Sequence, residues 1–163
     1  VLKLAEALSM RIQTGKLKNL VVLTNSLTHI ETIARWCKVI LIGGEIRVER
    51  RDVCGSIAEK VLAMFHVKKA FFGADAISIR GGFMTTDERT SQMNEIVIDH
   101  ADESFVLADS EKFNKSSFIT YSHFDDISRV YTDRGLSKNA AEQYRKAGAE
   151  IEIVHKQIEF LRS

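Results

Sequence analysis

Five short stretches of the 163-residue chain combine residue types able to hold a ligand: Thr24-Asn25-Ser26, Gly43-Gly44-Glu45, Gly73-Ala74-Asp75, Asp109-Ser110-Glu111-Lys112, and Asp133. Each follows a short apolar run, so each falls where a buried strand would end. Free backbone N–H groups at a helix start attract an anion, and carboxylates accept hydrogen bonds from hydroxyl groups. A rim of this composition suits a phosphorylated polyol or sugar. Each piece also has a purely structural use. Asn25 and Ser26 can cap a helix. Gly43-Gly44 can make a tight turn into the charged stretch from Glu45 to Asp52, where Arg50 and Arg51 read as a solvated face. Asp75 and Asp109, on neighbouring strand ends, repel unless a ligand or cation offsets them, and Lys112 is the candidate for that task.

Other chemistries find no support. Histidines stand at 29, 66, 100, 123 and 155 without i, i+4 pairs, which fits exposed or capping roles better than metal ligation, so no metal is expected. Cys37 and Cys54 lack CxxC spacing and read as core or half-buried thiols. No GxSxG, Walker-type or GxGxxG pattern occurs, so acyl transfer, nucleotide hydrolysis and dinucleotide binding have nothing to build on, and no cofactor is expected.

The elements that must position these residues follow from periodicity. Buried-strand runs recur at Leu20 to Thr24, Val39 to Ile42, Ala70 to Phe72, Phe105 to Ala108, Val130 to Thr132 and Ile151 to Val154. Helical patterns lie between most of them. Leu4, Ala5, Leu8 and Ile12 share one helix face near the start. Ser26 or Thr28 can cap a helix reaching about Cys37. Ser56 with Glu59, and Thr85 with Glu88, have capping-box spacing, and Ser137 opens a last helix that Gly148 stops. With no proline, glycine is the main punctuation. Strand alternating with helix means βαβ units and a mostly parallel sheet flanked by helices, a Rossmann-like α/β fold.

Composition bounds the function. Lys plus Arg number 23 against 22 Asp plus Glu, a net charge of +1, so there is no basic surplus to neutralise DNA phosphates. No apolar run reaches a membrane span and no leader pattern opens the chain, which reads as cytoplasmic. At this length, residues 1–163 read as one domain.

In order, VVLTNS, VILIGGEIR, KKAFFGAD with GGF after it, FVLADSEKF, RVYTD and AGAEIEIV resemble the C-terminal effector domain of DeoR-family bacterial transcriptional repressors over residues 4 to 154. The resemblance implies a fold similar to ribose-5-phosphate isomerase and CoA-transferase-like proteins, a phosphorylated sugar effector, and a homo-oligomer, dimer or tetramer. It also implies that DNA is met only through an N-terminal winged helix-turn-helix which, with the sensor's first strand and phosphate loop, lies outside this chain. Thr24, Asn25, Ser26, Gly43, Gly44, Glu45, Arg47, Asp75 and Lys112 are the positions it places around the effector. Ala76 departs from the family's glycine, and Asn94 stands where the family has a lysine.

Two other readings compete with this one. The chain also resembles a sugar-phosphate isomerase at GAD and ADxxK, but isomerisation needs a base, and the isomerase glutamate aligns with Asn94, which cannot take the proton. Glu95 sits about 100° away on a helix. No catalytic residue is therefore expected. A receiver-like module with Asp75, Asp109 and Asp133 as a magnesium cluster lacks a nucleotide loop.

Overall fold

The computed structural model describes residues 1–154, which leaves His155 outside the described residues. Two compact units divide the chain, one from Val1 to Phe65 and one beginning at His66.

In the first unit, α1 (Leu2–Gln13) precedes β1 (Val21–Thr24), α2 (Leu27–Ile33), β2 (Lys38–Leu41), β3 (Glu45–Arg47), β4 (Asp52–Cys54) and α3 (Ser56–Leu62). β1 and β2 pair in parallel from Val21↔Lys38 to Thr24↔Leu41. On the apolar stripe of α1 Ala5 is buried and Leu4, Leu8 and Ile12 are half-buried, and the Ser9 hydroxyl donates to its own helix at Ala5 and to the Thr32 carbonyl of α2. Ser26 caps α2, its Oγ accepting from His29 N–H at 3.3 Å. The helix stops at Ile33, short of Cys37, which leads directly into β2. The stretch after Gly44 is largely exposed but forms a hairpin rather than a simple turn. β3 and β4 form an antiparallel hairpin with Glu45↔Cys54 and Arg47↔Asp52, burying Val53 and Cys54. Arg50 and Arg51 at its tip are exposed, as expected.

In the second unit a parallel sheet runs in the order β11 (Ile151–Ile153), β10 (Arg129–Thr132), β8 (Ala101–Leu107), β5 (Val67–Phe72). Its core face packs Ala70, Phe72, Val106, Val130 and Ile151. α4 (Glu88–Asp99) and α5 (Lys138–Lys146) flank it, so the α/β fold with a mostly parallel sheet stands. A second, antiparallel sheet, β6 (Ala76–Ser78), β7 (Gly82–Thr85) and β9 (Ile119–Ser122), has no counterpart in the expected alternation. Tyr144 of α5 ties the layers. Fully buried, it donates to the Ile77 carbonyl at 2.9 Å and accepts from Asn114 N–H at 3.0 Å.

Of the four expected helix starts, two differ. Ser56 is already helical, and Gly55 holds the cap position of α3 at φ 91. Asp87, not Thr85, caps α4, its carboxylate accepting from Thr90 N–H at 2.7 Å. Thr85 belongs to β7, where strand pairing takes its backbone. The Ser137 cap of α5 and the positive φ of Gly148 stand where expected.

Candidate functional site

In the first unit the strand ends converge. Thr24 O accepts from Ile42 N–H at 2.9 Å, which sets Thr24-Asn25-Ser26 beside the run entering Gly43-Gly44-Glu45. Thr24 Oγ1 accepts from Ser26 N–H at 3.1 Å and lies 3.3 Å from His29 Nδ1. Half-burial of His29 lowers its pKa from 6.5, holding the imidazole neutral.

Asn25 is pinned at both ends. Its carbonyl accepts from Val53 N–H at 2.9 Å and its Nδ2 donates to Val53 O at 3.0 Å, while Leu27 N–H donates to Arg51 O at 2.9 Å. The hairpin is thereby fastened to the carboxyl end of β1. Gly44 permits this closeness. At φ 154 it lies where a Cβ would come within 2.5 Å of the Cys54 carbonyl, whereas a Cβ on Gly43 would meet nothing within 4 Å. Glu45 is exposed, its carboxylate 3.3 Å from where Gly55 would carry a Cβ. Arg47 is engaged by Asp52 in a two-pronged ion pair.

In the second unit Asp75 follows β5. Its Oδ2 accepts from Thr85 Oγ1 at 3.0 Å, from Thr86 N–H at 2.9 Å and from Thr86 Oγ1 at 3.2 Å. Asp133 accepts from Ser110 N–H, Gly135 N–H and Ser110 Oγ, and these bonds hold its pKa below 3.8. Lys112 ends a 3-10 turn, Ser110–Lys112, and its half-buried side chain forms no hydrogen bond or ion pair with any described residue. The expected offsetting of Asp75 and Asp109 by Lys112 is therefore corrected. Hydroxyl and amide donors satisfy Asp75 at less cost than taking two charges out of water.

Sequence reasoning missed Asp52, Thr85, Thr86 and His29. Only Asp52, five residues beyond Arg47 with a turn between them, carried a legible signal for a cross-strand pair. His123 does cap a 3-10 turn, Phe124–Asp126. Cys37 is half-buried and Cys54 buried, the core or half-buried placement expected, and neither forms a disulfide among the described residues. Among the described residues no group of three His, Cys, Asp or Glu side chains could hold a metal ion. Nor is any helix long and apolar enough to cross a membrane. The hydroxyls and the exposed Glu45 carboxylate of the first unit can hydrogen-bond hydroxyl groups, and in the second unit Lys112, without a side-chain partner among the described residues, can meet an anion.

The family model described as the DeoR C terminal sensor domain matches residues 3–134. The chain belongs to the DeoR C-terminal sensor domain family. Among DeoR-type relatives, it is 29% identical over 121 residues to the HTH-type transcriptional regulator IolR of Bacillus subtilis, covering 73% of this chain and 48% of that protein. It is 27% identical over 132 residues to the HTH-type transcriptional repressor GlcR of the same organism, covering 80% and 51%. The L-fucose operon activator of Haemophilus influenzae is 25% identical over 120 residues, covering 72% and 48%. The chain thus spans about half the length of these regulators. On the DeoR sensor frame Asn94 is half-buried on α4, and exposed Glu95 accepts from Ser91 Oγ at 2.9 Å.

Proposed function

We propose that this chain is the effector-sensing part of a transcriptional regulator of sugar metabolism. Its effector is a phosphorylated sugar, and it acts in the cytoplasm as a homo-oligomer, meeting DNA through an N-terminal winged helix-turn-helix that is not in this chain. The observation that carries the effector class is Lys112. A half-buried lysine with no hydrogen-bond or ion-pair partner among the described residues is open to an incoming anion, and a phosphate ester returns short, charge-assisted hydrogen bonds. In the first unit Thr24, Asn25, Ser26, the Gly43-Gly44 turn and the Glu45 carboxylate suit hydroxyl groups, while Arg47 works through its hold on the hairpin; in the second unit the Asp75 carboxylate suits them too. The chain is not an enzyme in this reading, since the position of the isomerase base is Asn94. The names of the relatives support the regulatory role: one is a transcriptional regulator, one a transcriptional repressor and one an L-fucose operon activator.

A thermal-shift panel tests the reading. Phosphorylated sugars raise the melting temperature and their unphosphorylated counterparts do not, because binding to the native state adds RT ln(1 + [L]/Kd) to its stability. Equal shifts with both classes would remove the phosphate from the proposal.

A further inference from the structure

The parallel sheet of the second unit has two unlike faces. One enters the core. On the other, strand alternation and register place Lys69 and Phe71 of β5 beside Glu103 and Phe105 of β8, with Arg129 and Tyr131 of β10 and Glu152 of β11 continuing across. Phe105 stacks on Phe71 at 5.2 Å and lies 6.1 Å from Tyr131, while the Lys69 ammonium sits 5.1 Å above the Phe105 ring. Two ion pairs, Lys69–Glu103 at 3.1 Å and Arg129–Glu152 at 3.0 Å, cover the aromatic row. Their side chains are 55%, 48%, 48% and 51% exposed, and pairs so open add little to stability.

Sheets of this parallel kind are covered on both faces. We propose that a second copy of the chain covers this one. The charges read plus, minus, plus, minus from β5 to β11. A two-fold interface places one patch against itself. Turning a copy about a two-fold axis in the plane of the face reverses the row, so that Lys69 meets Glu152 of the second copy and Glu103 meets its Arg129. Every charge then faces its opposite, and the half-buried Phe71 and Tyr131 lie in the middle of the patch on either side of the buried Phe105. A face of single sign would fit a polyanion or polycation; only a mixed row in this order fits itself. The proposal rests on the self-association put forward above and assigns it a surface.

Sedimentation of the full chain, with the charge variants melting like the parent, decides it. Lys69→Glu and Arg129→Glu each weaken association by about ten-fold or more, because the two-fold axis counts each reversal twice. Adding Glu152→Lys to Lys69→Glu restores association, whereas adding Glu103→Lys, which restores only the pair within one chain, does not. A strictly monomeric parent overturns self-association itself. An oligomeric parent that neither reversal weakens, or rescue by Glu103→Lys alone, leaves self-association standing and overturns this surface.

Discussion

Arg47 and Asp52 face each other across the β3–β4 hairpin as a fork on a carboxylate, Nε to Oδ1 at 2.8 Å and Nη2 to Oδ2 at 2.7 Å, with side chains 16% and 17% exposed. An ion pair this sheltered differs from the open pairs of the surface, because removing one partner leaves the other charge poorly solvated. Arg47→Met is expected to cost about 2 kcal/mol, or roughly 4–8 °C in melting temperature, and Arg47→Lys should restore little because an ammonium has no fork. A melt unchanged by Arg47→Met would show that the pair is not what holds the hairpin.

The adjacent glycines separate cleanly. Gly44→Ala forces a Cβ against the Cys54 carbonyl at a φ of 154, so a loss of about 2–4 kcal/mol is expected. Gly43→Ala meets open space and should stay within about 0.5 kcal/mol of the parent. Equal denaturant midpoints for the two variants would contradict this assignment.

His29 makes stability depend on pH. Burial puts its folded pKa below the unfolded 6.5, so the unfolded chain binds the extra proton. Its contribution is therefore complete above about pH 6.5 and is lost as pH falls through the lowered folded value. His29→Gln should flatten the acid side of the stability profile below that pH. Parallel profiles for parent and variant would place the pH dependence elsewhere.

Lys112→Met bears directly on the effector. Losing one charge-assisted contact costs about 1.5–3 kcal/mol, a ten- to hundred-fold loss of sugar-phosphate affinity by calorimetry on the full-length regulator. Because Lys112 pairs with no described residue, the melting temperature of the ligand-free protein should hardly move. Affinity within about two-fold of the parent, a difference of ~0.4 kcal/mol, would remove Lys112 from the site.

How much of this was legible in advance depended on sequence range. The strands β1, β2, β8 and β10 were legible because an apolar run carries its own signal, although β1 and β2 are half-buried to exposed rather than buried, and so were the Ser26 and Ser137 caps, whose partners lie three residues away. The family, too, was legible, since it rests on the order of motifs along the chain. Cap spacing misled at Thr85, because the same threonine could serve a strand and a carboxylate ten residues earlier, and pairing with β9 settled the competition. The antiparallel sheet was invisible because β7 and β9 are separated by a helix and a parallel strand, and neither has a local pattern distinguishing it from a loop. The candidate charges divided in the same way. Position at strand ends identified Asp75 and Lys112 as candidates and the family resemblance added Arg47, but which of them stays open to a ligand depends on which neighbours folding brings within hydrogen-bonding distance. That distance claimed Arg47 for Asp52 and gave Asp75 to Thr85 and Thr86, and left Lys112 without a partner among the described residues.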